Sequence, residues 1–196
     1  LGFLFNLFIN DVPIPSKGDL CLYADDTAFF VQYPWKNLKS IKLELIRTVN
    51  KLQTYFNDWK IKLNDSKTEF IIFSKSTKMI ERLKNDSIIL NGQNFNWNES
   101  VKYLGIVLDQ KLSFKHHINS SINKASSSCF SSLYCLLARN SIASVDSKLR
   151  IYKSFIRPIL TYGCPVFANV AACHLKKLQL FQNKLLRMIF DFRWYD

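Results

Sequence analysis

An adjacent pair of carboxylates, Asp25 and Asp26, interrupts a stretch of chain that is otherwise almost entirely apolar. The flanking residues, 20–23 and 27–31, have the composition of two short β-strands. A two-residue connection, either Ala24-Asp25 or Asp25-Asp26, would join them into a hairpin with a fixed tip. Because both strands are apolar on both faces, we expect the hairpin to lie in a sheet with little water nearby. An ionised carboxylate is costly there unless it is paired or bound to a metal.

This pair of carboxylates predicts a divalent cation site in which Asp25 and Asp26 are the ligands. Mg²⁺ prefers hard oxygen ligands, usually one or two carboxylates, and waters and substrate phosphates complete its coordination. The alternative is a solvated hairpin turn, since Asp is a common turn residue for its own reasons. The pair taken alone leaves both interpretations open.

The chain is strongly basic, with a formal net charge of +12 from 27 Lys and Arg against 15 Asp and Glu. These basic residues are scattered through the sequence rather than held in a tail, which indicates a nucleic-acid partner. General basicity that aids solubility is the alternative. The 196 residues are 48% hydrophobic, which predicts a globular chain with a sizeable core in one or two domains.

The cysteines bear on the cellular compartment. There are five, an odd number, and no Cys-x-x-Cys spacing occurs, so neither a disulfide framework nor a zinc site is predicted. We therefore expect an intracellular location, nuclear or cytoplasmic. No uninterrupted apolar run reaches the length that spans a bilayer, and no membrane partner is predicted. The chain begins inside an apolar segment without the features of a signal peptide, which predicts a fragment of a longer protein.

Hydrophobic periodicity predicts a mixture of helices and strands over the first 112 residues. The predicted elements are a buried helix over 3–9 that ends near Asn10-Asp11, the Asp25-Asp26 hairpin, an amphipathic helix over about 37–59, a strand over 69–74, a surface helix or loop over 77–86, a hairpin over 88–97 that turns at Asn91-Gly92, and a strand over 101–109. Asn64 and Ser66 are turn formers that would hold Lys67 in place.

From Ser113 onward the pattern is helical. Ser113 is predicted to cap a first helix, Ser144 a second that ends at Pro158, and a third helix spans about 173–190. The predicted inward positions are Ile118, Ile122, Ala125, Cys129, Leu133 and Leu136 in the first helix, Val145, Leu149, Tyr152 and Phe155 in the second, and Leu175, Leu178, Phe181, Leu185 and Met188 in the third. Three helices of this length predict a small bundle, so the chain divides near residue 112.

Two neighbouring histidines, His116 and His117, open the first of these helices. Adjacent residues cannot both face one side of a helix. Both are therefore predicted to be surface residues rather than metal ligands.

Four segments together resemble the reverse transcriptases of non-LTR retrotransposons, of the LINE or jockey-like kind. The first, Leu4–Pro13, resembles the segment before the catalytic hairpin, and the second, Tyr23-Ala24-Asp25-Asp26, resembles the palm-domain motif. The third, Leu63–Thr68, resembles the family's next motif, in which Leu-Asn-x-x-Lys-Thr precedes a strand. The fourth, Tyr103–Asp109, resembles the segment that grips the primer end. The similarity covers nearly all of the chain and is diffuse after residue 112.

The resemblance implies an α+β fold. Residues 1–112 would be the carboxy-terminal part of a reverse transcriptase palm, which is an antiparallel sheet with packed helices. Residues 113–196 would be an all-α thumb bundle, which contacts the primer–template duplex in this family. The implied activity is RNA-directed DNA polymerase, a nucleotidyltransferase, with an RNA template, a DNA primer and deoxynucleoside triphosphates as partners.

The resemblance also assigns catalytic residues. Asp25 and Asp26 would hold Mg²⁺, for which Mn²⁺ could substitute, and they would act with a third carboxylate from a strand upstream of Leu1. Without that third ligand we expect the chain to be inactive alone. Lys67 occupies the position that would protonate or stabilise the departing pyrophosphate, and the alternative is a surface lysine that pairs with Asp65 or Glu69.

The primer end would be contacted by Tyr23, Tyr103, Leu104 and Gly105, again by resemblance. Tyr23 could equally be a core residue. Gly105 fits a strand position that another backbone approaches closely, and a glycine tolerated in a bulge is the alternative. A different class of function also stays open: the chain could be a non-catalytic nucleic-acid-binding remnant, or a domesticated fragment.

Overall fold

The computed structural model describes residues 7–14, 18–32, 38–61, 64–84, 87–90 and 93–192. The chain forms two compact units, residues 1–104 and 105–196, and each is described by itself. Helices and short strands are both present, so the predicted α+β class is confirmed. The division at residue 112 into a palm part and a thumb bundle stays a prediction. No helix among the described residues is long and apolar enough to cross a membrane.

The described residues of the first unit form short strands in two-stranded sheets and helices, and residues 7–9 are also helical. Its elements are β1 (Asp19–Tyr23), β2 (Asp26–Phe30), α1 (Leu38–Asp58), a 3₁₀ turn (Asp65–Lys67), β3 (Phe70–Ile71), α2 (Thr77–Lys84), β4 (Ile88–Leu90), β5 (Gln93–Phe95), β6 (Trp97–Asn98) and β7 (Ser100–Tyr103). Strands β1 and β2 pair antiparallel, as do β4 and β5, whereas β3 and β6 pair parallel.

Helix α1 organises the first unit. Its apolar residues recur every three or four positions, so they form a stripe that can face a core. Leu45 packs in one cluster with Phe70 and Ile88, while Leu52 and Phe56 pack in another. Each fully buried side chain of this size contributes about 1.5–3 kcal/mol. The helix predicted over 37–59 is therefore confirmed.

Both predicted hairpins of this unit are found. The first turns at Ala24-Asp25, with Tyr23 paired to Asp26. In the second, Leu90 pairs with Gln93, and the two residues that connect them lie outside the described residues. The strand predicted over 69–74 is shorter than expected, because only Phe70–Ile71 pairs.

Two predictions for this unit hold only in part. Residues 7–9 of the helix predicted over 3–9 are helical, and Phe8 and Ile9 pack against a core cluster, but Leu7 is 55% exposed. Residues 3–6 of that helix lie outside the described residues. The single strand expected over 101–109 is two strands, because Leu104 and Gly105 adopt positive φ angles of 46° and 81° and turn the backbone.

The second unit is mostly helical. Its elements are β8 (Ile106–Asp109), α3 (Lys115–Ser127), a π-helical segment (Ser128–Ser132), α4 (Tyr134–Leu137), α5 (Val145–Ile151), a second π-helical segment (Tyr152–Ile156), α6 (Arg157–Thr161), α7 (Cys164–Phe167) and α8 (Ala172–Phe190). Ala125, Cys129, Leu137, Ile156 and Leu185 belong to its main core.

The two π-helical segments change which residues face the core. A π turn holds one residue more than an α turn, so it rotates the positions that follow by about 100°. Leu136 was predicted inward but is 45% exposed, whereas Leu137 is 1% exposed. Phe155, also predicted inward, is 61% exposed, and its neighbour Ile156 is fully buried.

The helix ends follow the predictions in part. Ser144 caps α5, since its Oγ accepts a hydrogen bond from the Ser147 amide at 3.2 Å. Val145, predicted inward just after this cap, is exposed. Ser113 does not cap α3, because left-handed Phe114 holds the cap position. Pro158 does not end the helical run, which continues through α6 to Thr161.

Helix α8 has the two faces that its sequence predicts. Leu178, Phe181 and Leu185 pack into the main core. Lys176, Lys177, Lys184 and Arg187 are exposed on the other side. This face separation is the usual consequence of a 3.6-residue period, because residues three and four apart share one side of a helix.

Candidate active site

The β1–β2 hairpin has two different faces. Side chains alternate along a strand, so Leu20 and Leu22 point to one face, where they pack with Val12, Leu52 and Phe56. The opposite face carries Tyr23, and also Asp26, since these two residues are paired across the strands. The hydrophobic face thus anchors the hairpin while the other face presents its polar groups.

The tip of the hairpin is open to solvent. Asp25 lies in the turn, Asp26 begins β2, and both side chains are exposed. The expectation of a sheet with little water nearby is therefore wrong. Tyr23 is 64% exposed, which also contradicts the alternative of a core position. Exposed carboxylates keep their oxygens available to a cation, to waters and to substrate phosphates.

The turn has an unusual backbone at Ala24. Its φ of 50° places an alanine in the left-handed region, which costs about 1–2 kcal/mol because Cβ approaches the following carbonyl oxygen. Conformations of this kind persist where surrounding structure holds them and concentrate at functional sites. Here the antiparallel pairing from Asp19 to Phe30 holds the turn on both sides.

Tyr103, from a distant part of the sequence, lies beside this polar face. Burial raises the pKa of the Tyr103 phenol above its ordinary value of 10.0, and the neighbouring Cys21 and Asp26 raise it further. Tyr103 therefore stays a neutral hydroxyl at physiological pH. Tyr103 thus lies near enough to Asp26 for the carboxylate to act on its phenol, while the primer-binding role of Tyr103 stays a prediction.

Lys67 is positioned by a turn built on Asn64. The Asn64 side-chain oxygen accepts hydrogen bonds from the Ser66 amide at 3.2 Å and the Ser66 hydroxyl at 2.6 Å. The Asn64 carbonyl accepts from the Lys67 amide at 3.0 Å and the Thr68 hydroxyl at 3.1 Å. The predicted turn is confirmed.

The Lys67 side chain is exposed. Within the described part of the chain, Lys67 forms no ion pair with Glu69, whose carboxylate instead accepts a hydrogen bond from the Asn98 side chain at 3.0 Å. No hydrogen bond or ion pair between described residues joins Lys67 to Asp25 or Asp26. The catalytic role of Lys67 stays a prediction.

Gly105 is needed for two reasons that the sequence did not show. Its positive φ is unfavourable for other residues. A Cβ added here would also lie 3.0 Å from the ring of Tyr162. The predicted strand position with a close backbone is therefore wrong: Gly105 lies in a turn, and the group that approaches it is the Tyr162 side chain.

Asp109 is a structural residue that sequence reasoning missed. Its two carboxylate oxygens accept hydrogen bonds from the amides of Ser113, at 3.0 Å, and Phe114, at 2.7 Å. Burial raises the pKa of Asp109, but these backbone donors outweigh burial and hold the pKa below its usual 3.8. The available signal was an aspartate at the end of a strand, where its side chain can bond the turn that follows.

His117 is a second missed residue, and the prediction that it lies at the surface is wrong. Its side chain is 4% exposed. Nδ1 accepts from the Val107 amide and Nε2 donates to the Tyr162 carbonyl, each at 3.4 Å. Burial lowers the pKa of His117, more than the bond to Tyr162 raises it. A neutral imidazole therefore links β8, α3 and the segment after α6, while His116 is exposed as predicted.

The described residues offer a metal ion no large cluster of ligands. No group of three or more His, Cys, Asp or Glu side chains that could hold a metal ion occurs in the described ranges. Asp25 and Asp26 nevertheless supply the one or two carboxylates that Mg²⁺ usually takes from a protein. The hairpin tip fits a partial ligand set, to be completed by other groups.

Comparison with known proteins gives consistent matches. A family model described as reverse transcriptase (RNA-dependent DNA polymerase) matches residues 2–108. The chain is 30% identical over 200 residues to the RNA-directed DNA polymerase from mobile element jockey of Drosophila melanogaster, and 28% identical over 207 residues to that of Drosophila funebris. It is 26% identical over 197 residues to the probable RNA-directed DNA polymerase from transposon X-element of Drosophila melanogaster.

Each of these matches covers 98% of this chain but 21% of the relative. The chain therefore spans about a fifth of the length of the curated relatives it matches. No solved structure gives a significant match.

Proposed function

Because the chain belongs to the reverse transcriptase (RNA-dependent DNA polymerase) family, we propose that it is part of an enzyme of a non-LTR retrotransposon that copies RNA into DNA. The observation that carries this proposal is the polar face of the β1–β2 hairpin. There the Asp26 carboxylate, at an exposed tip, lies near the phenol of Tyr103. These two residues, about 80 positions apart in the sequence, would then serve one site.

Reverse transcriptases generally use divalent metal ions. Asp25 and Asp26 would hold Mg²⁺, or Mn²⁺ as a substitute, together with a third carboxylate from the sequence that precedes residue 1. When bound, such ions stabilise the attacking and leaving oxygens of the phosphoryl transfer. The task of the hairpin is to fix two oxygen ligands at a tip that waters and a triphosphate can reach.

The other motif residues have binding roles in this proposal. Lys67, held by the Asn64 turn, would neutralise the departing pyrophosphate. Tyr103 would contact the primer end through a hydroxyl that stays protonated, with Tyr23 on the same face of the hairpin as Asp26. The turn at Leu104-Gly105 would continue this primer contact.

At the level of domains, we propose that residues 1–112 are palm and that the helices after residue 112 are thumb. The partners would be an RNA template, a DNA primer and deoxynucleoside triphosphates. The excess of basic residues supports a polyanionic partner, because Lys and Arg that neutralise phosphates release counterions. All five cysteines are free thiols, which supports an intracellular location.

A non-catalytic nucleic-acid-binding role is the second candidate. The observation that favours it is that the described residues bring together two carboxylates and not three. Two carboxylates hold a pair of dications poorly, since Mg²⁺ requires near-ideal octahedral geometry and gives up its waters reluctantly.

Primer extension separates the two candidates. The 196-residue chain and a version completed with its own upstream sequence are assayed on a homopolymer RNA template with Mg²⁺ or Mn²⁺. We expect extension from the completed version only, and its loss on Asp25→Asn. The positioning that the missing part supplies is worth up to roughly 7–11 kcal/mol of barrier, so the short chain alone should give no detectable product. Inactivity of the completed version would favour the non-catalytic role.

A further inference from the structure

The second unit contains an open cleft with a volume of about 770 Å³. We call it the aromatic cleft and define it by Phe130, Tyr134, Arg139, Lys184, Arg187 and Phe192, which line it. One wall is formed by the π-helical segment after α3, by α4 and by the loop that follows α4. The other wall is formed by α8. The volume falls in the range of about 300–1,000 Å³ that is typical of small-molecule sites, so nucleotide-sized groups fit.

Three aromatic rings of the cleft are unusually exposed. Phe130, Tyr134 and Phe192 each leave about half of their surface in water. The rings of Phe130 and Tyr134 lie 6.2 Å apart between centroids, and the Lys184 ammonium lies 5.8 Å from the centre of the Phe130 ring. Exposed rings beside cations are the combination on which nucleic-acid bases stack while phosphates pair with lysine and arginine.

The charge of this unit favours an anionic occupant. Residues 105–196 carry 13 Lys and Arg against 4 Asp and Glu, whereas residues 1–104 carry 14 against 11. The excess is +9 in the second unit and +3 in the first. At the cleft, Arg139 is fixed by Asp191 at 3.1 Å and by the Phe192 carbonyl at 2.8 Å. Lys184 and Arg187 lie on the opposite wall.

We propose that the aromatic cleft binds a single-stranded polynucleotide, with bases stacked on Phe130 and Tyr134 and phosphates paired with Lys184 and Arg187. This proposal rests on the proposed function, which supplies such a strand, and it assigns binding residues other than those of the hairpin. A duplex does not suit the cleft, because paired bases hide their faces in the stack and stacking on side chains requires unstacked bases.

The test uses fluorescence anisotropy with the 196-residue chain and labelled oligo(dT), oligo(U) and a hairpin DNA duplex at several salt concentrations. Phe130→Leu with Tyr134→Leu removes both stacking rings. Its control is Phe155→Leu, an exposed phenylalanine in the other π-helical segment and outside the cleft. Melting curves by circular dichroism check that each variant folds as the parent does.

The charge variants are matched on one helix. Lys184→Gln with Arg187→Gln removes two cleft cations, and Lys176→Gln with Lys177→Gln removes two exposed cations of α8 outside the cleft. Both pairs change the net charge by the same amount. A difference between them therefore reports position rather than overall charge.

We expect the aromatic variant to bind single strands at least about fivefold more weakly for each lost base stack. Its duplex affinity should stay unchanged, and the Phe155→Leu control should bind single strands as the parent does. The cleft charge pair should lower the slope of log affinity against log salt by about 1.4, which is about 0.7 for each of two phosphates. The control pair should leave that slope unchanged. The two single-stranded probes show whether DNA, RNA or both are accepted.

Equal effects of the cleft and control variants would overturn the proposal, as would equal losses on duplex and single strand. Absence of any nucleic-acid binding would also overturn it. None of these results touches the hairpin chemistry, which primer extension by the completed protein tests separately.

Discussion

Asp109 gives a sharp test of how the turn after β8 is held. Its two bonds to the Ser113 and Phe114 amides support a segment in which Leu112 and Phe114 have left-handed φ angles of 50° and 53°. A hydrogen bond to a charged group contributes about 1.5–3 kcal/mol to stability. Because Asp109 is partly exposed, we take the lower value for each of its two bonds. We expect Asp109→Ala to lower the free energy of unfolding by about 3 kcal/mol. Asp109→Asn, which keeps one acceptor, should lose about half of that.

The pH dependence supplies a second readout. Since the pKa of Asp109 is held below its usual 3.8 in the folded chain, the unfolded chain binds the proton more readily, and acid opposes folding. The contribution of Asp109 is fully present above the unfolded pKa and is lost as pH falls through the folded pKa. The difference between the parent and Asp109→Asn should therefore shrink from pH 5 downward.

Urea unfolding followed by circular dichroism measures both effects, with the exposed Asp19→Asn as control, for which a change within about 0.5 kcal/mol is expected. An Asp109→Ala variant as stable as the parent at pH 7 would show that the turn holds without the carboxylate. A stability difference that does not depend on pH would show that the ionised form is not what the amides bind.

Three further substitutions are expected to move stability in stated directions. Ala24→Gly should raise the free energy of unfolding by about 0.5–1 kcal/mol, because the left-handed strain of about 1–2 kcal/mol outweighs the entropic cost of glycine; an unchanged midpoint in urea would argue against strain. Gly105→Ala should lower the free energy of unfolding by about 1 kcal/mol or more. The loss should be smaller in a Tyr162→Leu background, where the tight contact with the ring is gone; equal losses in both backgrounds would show that the φ angle alone causes the loss. Asp25→Asn should keep or raise the melting temperature in metal-free buffer, because two neighbouring carboxylates repel; a sharp drop would make Asp25 structural.

The sequence predicts the hairpin and α1 well because local patterns decide them. A turn between two short apolar strands has few ways to close, and a stripe of apolar residues with the helical period has one face to bury. The Asn64 turn is local in the same sense, since a side chain bonds its own backbone two residues on. For these elements, the information lies within a few residues of the structure it determines.

The helical run from residue 115 shows where such reasoning stops. Helical periodicity placed Ala125 and Cys129 inward correctly, yet it failed at Leu136 because one π turn precedes that residue. Whether a helix accepts an extra residue depends on what it packs against, which a local pattern does not contain. Leu137 fills the core position instead.

The two histidines show a different failure. Adjacent residues of a helix do point in different directions, as argued from the sequence. That fact leaves room for one inward residue, and His117 takes the inward position because the Val107 amide and the Tyr162 carbonyl satisfy both of its ring nitrogens. Burial of a polar ring depends on partners that are ten and 45 residues away, and only the fold brings them within reach.

The position of the candidate catalytic carboxylates depends on residues that have no chemistry of their own. Leu20 and Leu22 pack one face of the hairpin against the cluster around Leu52 of α1, and strict alternation then turns Asp26 to the other face. A slip of one residue in the β1–β2 register would exchange the two faces and bury the carboxylate, which the apolar cluster would oppose at several kilocalories per mole. The same packing that stabilises the first unit therefore fixes which way its carboxylate points, toward the face on which it acts on Tyr103.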